Sequence, residues 1–328
     1  MSEKPHIVIL DGYTINPGDN PWTPLEVLGE CTVFDRTLSG LVTEHARVAD
    51  IILTSKCLLD AAALEKLPKL KYVSILATGY NNVDVAAAGR RGIPVSNVPA
   101  YSTESVAQTV FALLLELAVA VGAHDAAVKA GEWGNCPDFC FCKTSIVELN
   151  GLTIGIVGYG ATGRAVARIA TAFGMRVIAH APRIPQDTGF LPVRFVSLDE
   201  LFATADVVSL NCPQTPENAG FVNADLLAKM KPGAFLINAS RGGLVNENDL
   251  AGALGAGTIA GAGLDVVSHE PMRADNPLLA APHCIITPHI AWASLAARKR
   301  LVEMAAGNVT SFLNGAPVNV VNKQYLPS

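Results

Sequence analysis

Three glycines in the middle of the chain restrict its fold more than any other feature of the sequence. Gly158, Gly160 and Gly163 form a GxGxxG pattern directly after an apolar run and directly before an alanine-rich helical stretch. In that context the glycines allow a tight strand-to-helix turn and let backbone N–H groups approach a pyrophosphate at the helix N-terminus. The pattern is weak alone, but its position between a strand and a helix predicts a dinucleotide-binding βαβ unit.

Short apolar runs alternate with helical patterns along the chain, which is typical of a parallel α/β fold. The runs that we predict as strands are 6–10, 50–54, 72–76, 153–158, 175–180, 206–211, 234–239, 262–266 and 284–289. The last six form one series with helical stretches between them. We therefore predict an α/β protein with two Rossmann-like, doubly wound parallel-sheet domains.

The chain length and two long helical patterns predict the domain boundaries. A chain of 328 residues is too long for one ordinary core and suits two domains of about 150 residues each. One long helix follows a Ser-Thr pair that can cap it, and a second covers about 293–313. We predict a dinucleotide-binding domain over 100–288, inserted into a substrate domain built from 1–99 and 289–328.

Charge and hydropathy argue against two classes of partner. The formal net charge of -5 provides no basic field for a phosphate backbone, so we expect no nucleic-acid partner. The most apolar window, 106–121, spans only about 24 Å as a helix and contains Gln108 and Glu116, so we expect no membrane crossing. The start, MSEKPHIVIL, has too short an apolar run for a signal-peptide core, which favours the cytoplasm.

The cysteines indicate reduced thiols. Seven are present, and four of them lie scattered in apolar surroundings. Cys136, Cys140 and Cys142 form CPDFCFC, but a zinc site needs a fourth ligand and a CxxC-type spacing. We therefore expect no metal site, and the sequence assigns no role to this cluster.

Three polar residues follow predicted strands of the central series. Arg241 follows the run at 234–239, Glu270 follows 262–266, and His289 ends 284–289. Loops beyond the carboxyl ends of such strands form the ligand crevice, so the three side chains should converge. Arg241 can grip a carboxylate in a fork, His289 can supply a proton, and Glu270 can fix the tautomer of His289 and favour its protonated form. This set suits the reduction of a 2-oxo acid.

The motifs around these residues resemble one known family. SRGG, HEP and TPHIAW follow the GxGxxG unit in order, ATGYNNVD lies at 77–84, and NVPAYSTESVAQ lies at 97–108. With them, the sequence resembles the D-isomer-specific 2-hydroxyacid dehydrogenases over almost its whole length, and most of all their glycerate dehydrogenase and hydroxypyruvate reductase branch. The resemblance implies an NAD(P)-dependent reduction of hydroxypyruvate to D-glycerate and of glyoxylate to glycolate.

The resemblance also implies roles for single residues. Arg241 would bind the substrate carboxylate together with the backbone of Thr78 and Gly79, and His289 would be the acid/base with Glu270 as its partner. A homodimer is implied as well, with the helix at 106–121 and the arm to residue 145 as its contact. The expected cofactor-binding residues are Gly158, Gly160, Ala161, Thr162, Gly163, His180, Arg183, Cys212, Pro213, Ala239, Ser240 and Asp265.

The preference between NAD and NADP depends on the end of the second strand of the series. An Asp or Glu there accepts hydrogen bonds from the adenosine ribose and repels a 2′-phosphate, but this chain has Ala181 at the family's acidic position. Arg183 can pair with that phosphate instead. The sequence therefore favours NADP(H), while relaxed selectivity with NAD stays open, as does a purely structural role for His180.

One alternative residue and two alternative functions remain. His269 is a rival to His289 because it is adjacent to Glu270, although neighbouring loop residues usually point apart. A dinucleotide-sensing interaction protein on the same scaffold is the alternative function, as is a dehydrogenase for another 2-hydroxy acid. The presence of Arg241, Glu270 and His289 together favours the enzyme.

Overall fold

The computed structural model of the chain describes residues 4–186, 188 and 191–327. Residues 1–3 and 328 of the expected substrate domain, and 187, 189 and 190 of the expected dinucleotide-binding domain, lie outside the described residues. The chain divides into two compact units. The first unit is Met1–Ser102 with Trp292–Ser328, and the second unit is Thr103–Ala291.

The first unit contains a five-stranded parallel sheet. Its strands are β1 (His6–Ile9), β2 (Glu30–Val33), β3 (Ile51–Thr54), β4 (Tyr72–Ile75) and β5 (Val95–Ser96), in the order β2-β1-β3-β4-β5. The helices between them are α1 (Thr23–Glu26), α2 (Val42–His45), α3 (Ala61–Glu65) and α4 (Val85–Arg90). Every residue of β3 and β4 is buried, as expected for parallel strands that are covered on both faces.

The second unit begins with two helices and then alternates strands with helices. Its helices are α5 (Thr103–Val119), α6 (Val121–Lys129), α7 (Ala161–Ala172), α8 (Leu198–Thr204), α9 (Ala224–Leu227) and α10 (Glu247–Gly255). Its strands are β6 (Thr153–Val157), β7 (Arg176–His180), β8 (Val193–Phe195), β9 (Val207–Leu210), β10 (Phe235–Asn238), β11 (Gly261–Leu264) and β12 (Cys284–Ile286). Short 3₁₀ helices include Gly242–Leu244 and Pro277–Ala280.

The strand order of the second unit creates a crevice at one place. All pairs are parallel, and the order is β12-β11-β10-β9-β6-β7-β8. The chain proceeds outward from β6 to β7 and β8, then returns to β9 on the other side of β6. Such a reversal separates the loops after the two central strands, and ligands of open α/β sheets bind there. The predicted doubly wound sheet is confirmed.

Helices cover both faces of this sheet. On one face, α5 and α7 pack against β6 and β10 through buried residues such as Phe111 and Val166. On the other face, α8, α9 and α10 contribute buried leucines, among them Leu201, Leu227 and Leu250. This two-layer coverage is why β6, β9 and β10 have nearly continuous apolar sequences.

The chain ends in the first unit. The last α-helix, α11 (Leu295–Leu313), begins where the Ser294 hydroxyl accepts a hydrogen bond from the Ala297 N–H, 3.2 Å away. It packs against α1 and β4. Asn322, which is fully buried, then ties the tail to β5 by accepting from the Val95 N–H at 2.9 Å.

The predicted strands are all present, but the structure contains three more. β2, β5 and β8 were missed because they are short or carry polar residues, as in ECTV, VS and VRF. Within the described residues no single helix is long and apolar enough to cross a membrane, although α5 and α6, bent by 55° at their junction, meet the length and composition criteria together.

Candidate active site

Three loops at the carboxyl edge of the second unit's sheet carry the predicted catalytic residues. Arg241 lies after β10, Glu270 after β11 and His289 after β12, and these strands are neighbours in the sheet. Parallel strands place their carboxyl ends at one edge, so polar side chains from separate loops share that edge.

His289 and Glu270 form a direct pair. The Nδ1 atom of His289 lies 2.6 Å from Oε2 of Glu270, and the two side chains are only 29% and 32% exposed. The carboxylate therefore fixes the tautomer with the proton on Nδ1. Nε2 is then the ring nitrogen that can exchange a proton with a ligand. His269 does not take this place, because its Nδ1 lies 3.0 Å from the carbonyl oxygen of Pro271.

The turn that carries His289 is held by a buried carboxylate. Asp265 is 1% exposed, and it accepts hydrogen bonds from the Thr287 hydroxyl at 2.6 Å, the Ile290 N–H at 2.9 Å and the Ala291 N–H at 2.8 Å. Its backbone oxygen also accepts from the His289 N–H at 2.8 Å. These bonds hold His289 in the left-handed region, with φ of 54°. Burial of a charge is tolerated when donors surround it in this way.

The turn that carries Arg241 is fixed in a similar way. Asn238, 1% exposed, accepts from the Ser240 N–H at 3.0 Å and donates to the Arg241 carbonyl oxygen at 2.9 Å. A Cβ on Gly242 would lie 1.9 Å from the Val267 carbonyl carbon, so this turn lies directly on the backbone that leads to Glu270. The Arg241 guanidinium is exposed and donates to the Ser240 carbonyl oxygen at 2.7 Å.

Sequence reasoning overlooked Asn238 and Thr287 as members of the site. Asn two positions before Ser at a strand end is typical of a side chain that bonds its own turn, and this signal was available. Thr287 gives no comparable local signal, because its partner Asp265 is far away in the sequence.

The glycine loop fits a dinucleotide pyrophosphate. Gly158 has φ of 94° and a Cβ there would lie 2.7 Å from the Cys212 backbone nitrogen, while a Cβ on Gly163 would lie 2.2 Å from the Gly158 carbonyl oxygen. Packing therefore explains both glycines. At Gly160, the N-cap of α7, a Cβ would meet no protein atom within 4 Å. That open space, with the N–H groups of Ala161 and Thr162 behind it, suits a phosphate at a helix N-terminus.

The remaining cofactor candidates surround this loop within the second unit. Cys212 and Pro213 follow β9, and the carbonyl oxygen of Cys212 accepts from the Ser240 hydroxyl at 2.5 Å. Ala239, next to Ser240, packs against the core. Burial raises the pKa of the Cys212 thiol, so it stays protonated near neutral pH.

At the end of β7, His180 is held by hydrogen bonds, while the residues that follow lead into an exposed loop. The His180 carbonyl oxygen accepts from the Gly158 N–H at 2.8 Å, and its Nδ1 lies 3.1 Å from the Val196 carbonyl oxygen, so His180 supports the glycine loop. Ala181 packs against the core, while Arg183 is exposed in the loop that follows. Arg183 is thus an exposed cation close to the position where the sequence lacks an acid.

Thr78 and Gly79 lie in the first unit, in the loop after β4. The Thr78 hydroxyl donates to the Val98 carbonyl oxygen at 3.0 Å, and the Thr78 carbonyl oxygen accepts from Asn97 Nδ2 at 2.7 Å. These contacts fix the loop without using the N–H groups of Thr78 or Gly79. In the part of the chain that the structure describes, no group of three or more His, Cys, Asp or Glu side chains is arranged to hold a metal ion.

The chain is similar in sequence to known proteins over most of its length. The family model described as "D-isomer specific 2-hydroxyacid dehydrogenase, NAD binding domain" matches residues 111–291. The hydroxypyruvate reductase of Blautia hydrogenotrophica is 49% identical over 97% of this chain and 99% of its own length. The glycerate dehydrogenase of Methylorubrum extorquens is 38% identical over 92% of this chain and 90% of its own.

A solved structure shows a similar fold. The NADPH-dependent glyoxylate/hydroxypyruvate reductase of Sinorhizobium meliloti, in complex with NADP and malonate, aligns with a TM-score of 0.83 and 30% identity. The alignment covers 99% of each chain.

The contrast between Gly158 and Gly160 gives a test of the cofactor loop. We expect Gly160→Ala to keep the parent's thermal stability but to weaken dinucleotide binding at least 10-fold, because its Cβ occupies only the space left for the ligand. Gly158→Ala should lower the melting temperature as well, because its Cβ meets backbone and its φ is positive. Calorimetry and cofactor titration measure both effects. Unchanged cofactor affinity in Gly160→Ala would contradict this assignment.

Proposed function

Because this chain belongs to the D-isomer-specific 2-hydroxyacid dehydrogenase family, we propose that it reduces small 2-oxo acids to D-2-hydroxy acids, with hydroxypyruvate and glyoxylate as substrates. The observation that carries the proposal is the pair of His289 and Glu270, 2.6 Å apart at the carboxyl edge of the sheet. The names of the relatives support the choice of substrates, since a hydroxypyruvate reductase and a glycerate dehydrogenase are both similar along almost the whole chain.

The residues divide the reaction among them. Arg241 grips the substrate carboxylate, because a guanidinium offers two parallel donors to a planar anion. His289 gives a proton from Nε2 to the carbonyl oxygen, and Glu270 stabilises the imidazolium before the transfer. A bound nicotinamide supplies the hydride that this reaction requires.

The second unit binds the dinucleotide in this proposal. The glycine loop and the first turn of α7 hold the pyrophosphate. Cys212, Pro213, Ala239 and Ser240 line the cofactor, and Asp265 lies near the nicotinamide. Between the two dinucleotides we propose a preference for NADPH, because Ala181 leaves out the ribose acceptor and Arg183 supplies a cation. The similar NADPH-dependent reductase supports this choice.

We also propose a homodimer that forms through α5, α6 and the following arm. Phe139 on that arm is 88% exposed and Val121 at the start of α6 is 60% exposed. Phe111, Leu115 and Ile169 line a groove between α5 and α7. Exposed apolar side chains and apolar grooves of this kind are typical of a subunit contact.

A pair of histidine variants tests the catalytic assignment. We expect His289→Ala to reduce the kcat for hydroxypyruvate by about 10² to 10⁴-fold, because the proton donor acts in the transition state. Cofactor affinity should stay near that of the parent. His269→Ala is the matched control and should keep the parent's kcat. NADPH consumption followed by absorbance measures both, and a fully active His289→Ala would assign the proton donor to another residue.

The cofactor preference is tested at the end of β7. Arg183→Ala should weaken NADPH binding by roughly 10 to 150-fold, which corresponds to a charge-assisted contact of about 1.5 to 3 kcal/mol, and leave NADH nearly unchanged. Ala181→Asp should improve NADH and repel NADPH, because it installs a ribose acceptor and a like charge together. The measurement is kcat/KM for both cofactors at fixed, moderate salt. A parent that prefers NADH, or an equal loss for both cofactors, would show that Arg183 is only a solvated loop residue.

The dimer is tested by placing a charge on the arm that follows α6. Phe139→Asp should shift the protein from dimer to monomer in light scattering, because a carboxylate is costly to bury in an apolar contact. Leu38→Asp is the control, since Leu38 is 73% exposed but lies in the first unit. A monomeric parent would overturn this proposal.

A further inference from the structure

We infer that Glu247 is a positioning residue, whose carboxylate holds the loop 267–276 so that Glu270 faces His289. The inference rests on the proposed roles of Glu270 and His289. Glu247 is the first residue of α10 and lies outside the contact between them, so it acts only through the loop.

Both oxygens of the Glu247 carboxylate bond to this loop. Oε1 accepts from the Ser268 N–H at 2.6 Å, and Oε2 accepts from Asn276 Nδ2 at 2.8 Å. Glu270 lies between these two partners in the sequence. One side chain therefore ties the loop on both sides of the residue that contacts His289.

Regular secondary structure does not hold this loop. From the end of β11 at Leu264 to the 3₁₀ helix that begins at Pro277, the chain forms neither helix nor strand. Ser268 and His269 are exposed, and the apolar anchors on either side of them are Val267, which is buried, and Met272, which packs against the core. A segment with so little regular bonding depends on side-chain ties for its conformation.

Glu270 itself contacts the loop through a longer hydrogen bond than those of Glu247. Its Oε1 accepts from the Val267 N–H at 3.3 Å, a long bond, while Oε2 makes the 2.6 Å contact with His289. The other charged groups of the loop pair with each other, since Arg273 donates to Asp275 at 3.0 and 3.1 Å. His269, near Pro271, and Asp249 on α10 are the remaining titratable neighbours along these elements.

Small displacements at such a pair have large effects on rate. A shift of about 1 Å in a catalytic group can cost on the order of 10²-fold in turnover. Release of the loop would separate the carboxylate from Nδ1 of His289 and so disfavour the protonated imidazole. The expected signature is a change in the pH dependence of reduction, which a general loss of stability would not produce.

The test compares Glu247→Ala, Glu270→Gln and the double variant in the whole protein. We expect Glu270→Gln to move the decline in hydroxypyruvate reduction to lower pH, because the protonated histidine is less favoured without the carboxylate. Glu247→Ala should also move this decline in activity to lower pH, and it should reduce kcat about 10-fold with little change in KM or in cofactor affinity. The double variant should match Glu270→Gln alone, because residues that act through one contact are not additive.

Two further variants separate positioning from folding. Asp249→Ala is the matched control, because Asp249 lies on the same helix and accepts from the Ala224 N–H at 3.0 Å, at the start of α9, which carries none of the proposed catalytic residues. It should keep the parent's pH profile. Asn276→Asp keeps the acceptor for the Leu278 N–H but places a second carboxylate against Glu247, so it should reproduce the shift of Glu247→Ala even if the alanine variant fails to fold.

The outcomes distinguish this inference from the proposed function. A parent-like pH profile in Glu270→Gln would overturn the proposed acid/base pair itself. A shift in Glu270→Gln together with parent-like profiles in Glu247→Ala and Asn276→Asp would overturn only the role of Glu247. Additive losses of kcat in the double variant, or an equal shift of the pH profile in Asp249→Ala, would also overturn the role of Glu247.

Discussion

The geometry of the candidate site depends above all on the buried carboxylate of Asp265. It accepts hydrogen bonds from the Thr287 hydroxyl and from the Ile290 and Ala291 N–H groups, all at 2.9 Å or less. A hydrogen bond to a charged group contributes about 1.5 to 3 kcal/mol, and the loss of its partners would leave a charge buried and unpaired. These bonds offset the backbone strain of His289 and hold its ring toward Glu270.

A layer of such ties lies above the apolar core at the carboxyl edge of the sheet. Asn238 and Asp265 follow or end adjacent strands, and the Asp265 N–H donates to the Asn238 carbonyl oxygen at 2.9 Å. Asn238 fixes the turn of Arg241, Asp265 fixes that of His289, and Glu247 bonds the loop of Glu270. Irregular loops acquire defined shapes here because these side chains, of which Asn238 and Asp265 are buried, supply the partners that helices and strands supply elsewhere. Catalytic groups on loops can therefore be placed as firmly as groups on regular elements.

The cofactor loop shows a contrast between fixed and open parts. Tyr159, inside the GxGxxG pattern, packs its ring edge-on against Phe195, with 5.3 Å between centroids, and burial raises its pKa. The glycine loop is thus anchored to β8. Arg183, which would decide between the two dinucleotides, lies instead in an exposed segment after β7. The proposed dinucleotide-binding loop is therefore packed against the sheet, whereas the residue proposed to select the cofactor lies in an exposed segment. Substitutions in that segment can change selectivity without loss of the fold.

The sequence by itself determined the two parallel sheets, the glycine loop and the order of Arg241, Glu270 and His289 after three successive strands. Those features are local: apolar runs of strand length, glycines at a strand-to-helix turn, and polar residues directly beyond strand ends. β8 escaped prediction because VRF has no apolar pattern of its own and pairs only at the edge of the sheet, beside β7. The clamp of Asp265 on Thr287 and the tie of Glu247 to Asn276 were decided by the tertiary structure alone. Each of these contacts joins residues that are far apart in the chain or depends on the direction of a side chain in an irregular loop. A short stretch of sequence encodes neither of these two features.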